Sequence, residues 1–310
     1  MYKNNAILKE EWETNHVRYY RIAGLTIKVE SDLPITDTTF HPKFRIFQVD
    51  GPGEDTISIR HHFFVPNLNE LNLGKEIYSK PPWTIFKCDD TFFYLGISPN
   101  PEDKSVYQLA VFNYDHTNLR VFHRWENTFL KGRLKSLSLL PTDQILLSRV
   151  LADREGCYLH SCGVSFNGKG ILFPGHSGAG KSTIAKMLMN HADTLCDDRI
   201  IVRRWNNGFR IHGTWSHGDI PEISANSAPL RAILFLNKSS DNRLILVPHK
   251  KQVIGRLIGP LVRPLLTADW WDKILRLTAR LSSEIPCYDL YYDMSGSVID
   301  VIRENFCEYY

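Results

Sequence analysis

Between Tyr19 and about Arg124 the chain alternates apolar and polar positions in short runs: YYRIAGLTIKVE, FRIFQVD, DTISIRHHFF, WTIFKCDDTFFYLGI, YQLAVFNYD and LRVFHRW. A period of two with β-branched and aromatic enrichment predicts strands, and DGPGED and SPNPEDK supply the breakers between them. The expectation is an antiparallel β region, with His61-His62 on a strand surface rather than forming a ligand pair. At Pro141 the period changes. PTDQILLSRVLADREG puts Thr142 and Asp143 in cap positions, is apolar at Ile145, Leu146 and Val150, and stops at Gly156. It predicts a helix joining a β-rich region, 1–140, to a second domain, 141–310.

In that second domain CYLHSCGVSFNGKGILFPG reads as two strands around an Asn-Gly turn, followed by a glycine-rich loop and the apolar-striped helix STIAKMLMN. TLCDDRIIVRR, a second Asn-Gly turn at Asn207-Gly208, FRIHG and the polar loop TWSHGDIPEISANSAP come next. A strand pair, RAILFLN and RLILVP, precedes helices around Gln252 to Leu261 and Asp269 to Ser283. The second helix carries Trp270, Trp271, Ile274, Leu275, Leu277 and Leu281, most of which are expected in the core. CYDLYYD is a strand and SGSVIDVIREN a capped terminal helix. There is no internal repeat.

Composition adds mainly exclusions. A 310-residue chain, 43% hydrophobic, has a real core, and a formal charge of +3 without basic runs names no nucleic-acid partner. The opening MYKNNAILKEEWETN carries acids where a signal peptide needs apolar residues, and no run approaches about eighteen apolar residues, so a soluble, cytoplasmic protein off the membrane is expected. Six cysteines are too sparse for a disulfide scaffold. Cys157, His160 and Cys162 lack a second ligand pair nearby, so the two cysteines read as buried thiols on a strand, with no structural zinc.

The chemistry concentrates in one stretch. Gly175-His176-Ser177-Gly178-Ala179-Gly180-Lys181-Ser182, followed by Thr183, fits G-x-x-x-x-G-K-[ST] between an apolar run and a helix. Glycines let successive amides point inward, and the helix N-terminus adds unpaired N–H groups; the product is a cradle for a nucleoside triphosphate. Lys181 can reach the β and γ phosphates, and the Ser182 hydroxyl can ligate Mg²⁺. Phosphoryl transfer also needs a carboxylate for metal and one for the acceptor proton. Asp197-Asp198 closes an apolar run where a strand would deliver the pair beside the loop. Adjacent residues face opposite ways, so they take different roles. His160, by itself, reads as an ordinary strand residue.

The succession LHSCGVSFNGKGILFPGHSGAGKST then LCDDRIIV resembles the catalytic core of the HPr kinase/phosphorylase family, whose fold is related to phosphoenolpyruvate carboxykinase; the likeness spans about Tyr158 to Val247. It implies an α/β (α+β) fold, with a mixed-sheet P-loop core preceded by the β-rich region. It implies an ATP- and Mg²⁺-dependent kinase with Lys181 on the phosphates, Ser182 and Asp197 on the metal, Asp198 as base and His160 in the active site. Homo-oligomeric assembly is also a family trait. The chain departs from the pattern at Arg210, where the family has a metal-binding acid: either Asp219 or Glu222 supplies the carboxylate, or that contact is gone. The β-rich half together with HGTWSHGD and SAPLRAILFL resembles the HPr-kinase-related proteins of peptide-modification (lasso peptide) gene clusters. That resemblance implies a serine hydroxyl of a peptide or small protein as acceptor, with His217 and Asp219 facing it. A nucleotide-dependent regulatory binder and a small-molecule or carboxykinase-like kinase are the alternatives.

Overall fold

The computed structural model describes residues 15–97, 105–140 and 143–306. The signal-peptide reading of the first residues, the whole SPNPEDK turn and the capping role of Thr142 lie outside them. The chain divides into two compact units, Met1–Leu146 and Leu147–Tyr310. No helix among the described residues is long and apolar enough to cross a membrane.

The first unit is built on one sheet of strands β1 (Val17–Ile22), β2 (Leu25–Ser31), β3 (Gln48–Val49), β4 (Thr56–His62), β5 (Lys75–Lys80), β6 (Trp83–Cys88), β7 (Thr91–Ile97), β8 (Val106–Phe112) and β9 (Asn118–His123), followed by the short helix α1 (Asn127–Lys131). Their order is β3-β1-β2-β4-β9-β8-β7-β6-β5. The period-two reading holds where it is cleanest: in β4, Ile57, Ile59 and His61 are buried and the residues between them are not.

Three expectations need correction here. The sheet is mixed, because β4 pairs in parallel with both β2 and β9; antiparallel pairing follows from short turns, and the connections into and out of β4 are long. Most of FRIFQVD is a 3-10 helix, Pro42–Phe47, in which Phe44 and Phe47, three apart, are the buried residues; that spacing is one 3-10 turn and Pro42 suits its start. His61 is wholly buried, not on a surface.

The His61 network shows how an imidazole is kept in a core. Its Nε2 lies 2.9 Å from the Leu137 carbonyl and its Nδ1 3.0 Å from His123 Nε2. A carbonyl only accepts, so His61 carries its proton on Nε2, and its Nδ1 accepts a hydrogen bond from His123 Nε2–H. The remaining His123 nitrogen accepts from Gln108 Nε2, which also donates to the Leu139 carbonyl. The two bonds in which a ring nitrogen accepts, at His61 Nδ1 and His123 Nδ1, require those rings to be neutral. Burial lowers His61 to about 4 and His123 to about 3. The folded-state values lie below the unfolded one, so this contribution is intact above about pH 6.5 and declines as the pH falls towards 4. Thermal melts across pH 7 to 4 should show the first unit losing stability over that range, and His123→Gln should flatten the profile.

The second unit opens with helix α2 (Gln144–Ala152), within which the division between units falls. The Asp143 carboxylate accepts from Ser136 Oγ, Ser138 Oγ and the amides of Leu137 and Ser138; it organises the preceding segment instead of capping α2. The helix ends at Ala152, short of Gly156. Then come β10 (Gly156–Phe166), β11 (Lys169–Pro174), α3 (Lys181–Leu188), β12 (Asp193–Cys196), β13 (Arg199–Trp205), β14 (Gly208–His212), β15 (Ser227–Lys238), β16 (Arg243–Leu246), α4 (Lys250–Ile258), α5 (Trp270–Glu284), β17 (Cys287–Tyr292) and α6 (Val298–Phe306).

The sheet runs β11-β10-β13-β14-β15-β17-β16, with β12 also on β10, and β11 pairs in parallel with β15. It is therefore the mixed sheet expected. One core cluster joins α3 and α6 to the sheet through Ile184, Leu188, Leu234, Leu290, Tyr292 and Ile302. The other joins α4 and α5 through Val253, Leu257, Trp270, Ile274, Leu277 and Leu281. Trp270 is core, as expected. Two smaller readings change. RAILFLN and RLILVP are not neighbours, since β17 lies between β15 and β16; parallel pairing of β15 with β17 satisfies the centre of the sheet and leaves the exposed β16 at its edge. The β13–β14 turn is Asn206-Asn207, because Trp205 pairs with Gly208, whose φ is 105°.

Candidate functional site

The site follows from the register of β10. Its first half, Gly156 to His160, pairs with β13, and its second half, Ser161 to Phe166, pairs with β11. Ser161 faces Pro174, the residue before the loop, and His160 faces Arg199, the residue after the paired aspartates. The Gly175 amide donates to the His160 carbonyl at 3.2 Å, and the Ser161 amide donates to the Asp198 carbonyl at 3.0 Å. The glycine loop and the Asp197-Asp198 bend thus leave the sheet at one level. A cleft of about 380 Å³ lies between them, lined by His160, loop residues Ser177 to Thr183 except Ala179, both aspartates, Gly218, Asp219 and Lys238.

Gly178 and Gly180 have φ of 81° and 96°, conformations a side chain disfavours. A Cβ on Gly180 would stand 2.1 Å from the Tyr292 hydroxyl. Glycine is needed there twice over. No side chain caps α3, so its first-turn amides remain available to an anion. The Lys181 ammonium donates to the carbonyls of Gly175 and His176 at 3.0 and 2.9 Å. Burial pulls its pKa below the ordinary lysine value, and the Asp198 charge opposes that shift.

The two aspartates differ as their adjacency requires. Asp197 is 1% exposed. Its Oδ1 accepts from the Gly218 amide at 2.7 Å, and its Oδ2 from the Ile220 amide at 3.1 Å and the Ser182 hydroxyl at 3.3 Å. It therefore ties the loop helix to the segment after Trp215. Asp198 is half-buried, and both its partners, Arg199 at 2.8 Å and His160 Nε2 at 3.2 Å, meet Oδ1. Oδ2 makes no hydrogen bond among the described residues. Burial disfavours the Asp198 charge, but the His160 hydrogen bond and the charges of Arg199, His160 and Lys181 outweigh it and hold the carboxyl below the usual range. The bend itself is held by the Cys196 thiol, which donates to the Ser216 carbonyl and accepts from the amides of Asp198 and Arg199. Burial raises that thiol to about 11, so it stays protonated and able to donate.

Of the residues singled out in the sequence, the loop, Ser182, Lys181, Asp197, Asp198, His160 and Asp219 come together. His217 is exposed, its one hydrogen bond among the described residues is to the neighbouring Gly218 carbonyl, and it does not line the cleft. Arg210 donates to Ser227 on the adjacent strand, and Glu222 is exposed outside the cleft, so Asp219 is the carboxylate of the next loop that reaches the site. Cys157 and Cys162 are buried with free thiols. Lys238, the Gly218 and Ile220 amides and the Tyr292 hydroxyl are additions that sequence reasoning missed; only Lys238 carried a visible signal, a cation ending a strand.

The donors suit a small hard cation: a hydroxyl and a carboxylate oxygen 3.3 Å apart, Ser182 and Asp197, with Asp219 on the same cleft. Mg²⁺ typically takes one or two protein oxygens and completes its shell with phosphates and water.

A family model described as SynChlorMet cassette protein ScmC matches residues 134–258. That stretch holds the loop, both aspartates and Lys238. No curated protein matches the chain. Among solved structures, the HPr(Ser) kinase/phosphatase from Coxiella burnetii is similar at 13% identity over 47% of this chain and 94% of that one, with a TM-score of 0.28. With so loose a superposition, the chemistry of the cleft is read from its own side chains.

Proposed function

We propose that the chain is an ATP-dependent kinase that moves the γ-phosphoryl group to a hydroxyl, in the preferred case a serine of a peptide or small protein. The observation that carries this reading is the division of labour in one cleft. Asp197 is committed to Ser182 and backbone amides, while Asp198 keeps one oxygen uncommitted beside Lys181. A switch that only binds nucleotide needs the first arrangement and not the second.

The loop amides and Lys181 would hold the triphosphate, the ammonium exchanging its two carbonyl partners for phosphate oxygens. Ser182 and Asp197 would hold the divalent cation, which when bound neutralises charge on the phosphate oxygens. The acceptor proton passes to Asp198 Oδ2. The acceptor oxygen bonds to the γ-phosphorus as that phosphorus separates from the β–γ bridging oxygen, whose electron pair leaves with the diphosphate. His160 and Arg199 act through Oδ1, fixing the carboxylate so that Oδ2 faces the cleft. The first unit is assigned to holding the acceptor or to contacts between copies of the chain.

Incubating the protein with γ-labelled ATP and a lysate of its own source tests the acceptor class. Label on a peptide or small protein is expected. Label only in low-mass products would move the reading to a small-molecule kinase, and nucleotide binding without any transfer would move it to a regulatory binder.

A further inference from the structure

Lys238 closes β15 at the cleft and has no role in the account above. β15 runs parallel to β11, with Ile233 beside Leu172. Gly175 opens the loop three residues beyond Leu172, and Lys238 stands five beyond Ile233, so it rises past the base of the loop by two residues, roughly 7 Å. Its partner on β17 is Tyr292, and paired residues of parallel strands project to the same face. Tyr292 faces α3, with its hydroxyl against Gly180. Leu236, two residues before Lys238 and on the same face, approaches Gly180 as well. Lys238 therefore stands one step further along the face that carries the end of the loop.

Its electrostatic position is unusual for this cleft. Lys181 already donates to two carbonyls, and Arg199 is paired with Asp198. Lys238 lines the same cavity, is exposed, and makes no hydrogen bond or ion pair among the described residues. The carboxylates of the cleft do not neutralise it. An exposed ammonium loses little hydration until an anion arrives, and it then gains a charge-assisted bond.

We infer that Lys238 is a second phosphate-binding cation of this site and that its contact is with the terminal phosphate of the triphosphate. The inference rests on the nucleotide reading above and adds a residue that separates triphosphate from diphosphate. Negative charge grows at the phosphoryl oxygens and at the bridge during transfer, so a cation held there serves binding and rate together.

The test is the affinity of the full chain for Mg-ATP and for Mg-ADP, measured by calorimetry for wild type, Lys238→Ala and Lys238→Arg. Lys238→Ala is expected to weaken ATP about tenfold, the size of one lost hydrogen bond to a charged group, and to leave ADP within about twofold of wild type. Lys238→Arg should keep most of the ATP affinity, because it keeps the charge. If Lys238→Ala shifts ATP and ADP equally, or shifts neither, Lys238 does not meet the terminal phosphate and the inference is wrong while the nucleotide site stands. Wild type that binds neither nucleotide overturns the nucleotide reading itself. The strand-end position is solvent-exposed, so unfolding should not intervene; the melting temperature of each variant checks this.

Discussion

Asp198→Asn should leave Mg-ATP affinity within about twofold of wild type and slow phosphoryl transfer about 10²- to 10⁴-fold, the range attached to a positioned general base. The substitution is isosteric. The side-chain carbonyl can still accept from His160 and Arg199 in place of Oδ1, so the bend keeps its shape. The second oxygen becomes an amide that has no lone pair for the acceptor proton. Because the Asp198 carboxyl is held below the usual carboxylate range, the base is ionised at neutral pH, and any acid limb in the rate due to this group should fall below that range. His160→Ala removes the largest of the stabilising contacts, so it should move that limb upward while leaving ATP affinity alone. Undiminished transfer by Asp198→Asn would remove Asp198 from the reaction.

Lys181→Ala has the second large effect, on both binding and rate. The Lys181 side chain is buried and lines the cleft together with the loop. Its loss should weaken Mg-ATP at least about tenfold and lower kcat/KM by about 10²- to 10³-fold, as for removal of one donor that meets transition-state charge. Removing it also strips the Gly175 and His176 carbonyls of their donor. Lys181→Met, which keeps the length of the stem, therefore separates loss of charge from collapse of the loop. A Lys181→Met protein with unaltered melting temperature and unaltered ATP affinity would contradict the assignment.

How much of this was legible in the sequence depends on the range of the interactions. The loop was legible because backbone geometry demands glycine at fixed offsets, and Gly180 shows the demand twice, in its φ and in the Tyr292 contact. That Asp197 and Asp198 would take different roles was legible from their adjacency, but they diverge in a bend after β12 and not on a strand. The partner of Asp198 was not: His160 and Asp198 meet only because β10 switches partners from β13 to β11 between residues 160 and 161. Lys238 needed the parallel pairing of β15 with β11, between segments distant in the chain. The burial of His61 depended on His123 and on a carbonyl at Leu137, and an alternating pattern assigns a face without saying what covers it. Asp143 stood in the right place for a cap, but the polar atoms of Ser136 to Ser138 claimed its carboxylate.

The central claim is that the glycine loop grips a triphosphate with Asp198 Oδ2 beside its terminal phosphorus. A crystal structure with Mg²⁺ and a non-hydrolysable ATP analogue tests it most directly. The account predicts phosphates along the amides from Gly175 to Thr183, a metal at about 2.0–2.1 Å from Ser182 Oγ, and Asp198 Oδ2 on the open side of the γ-phosphorus. A nucleotide bound elsewhere, or bound in the loop with Asp198 turned away from that phosphorus, would contradict it.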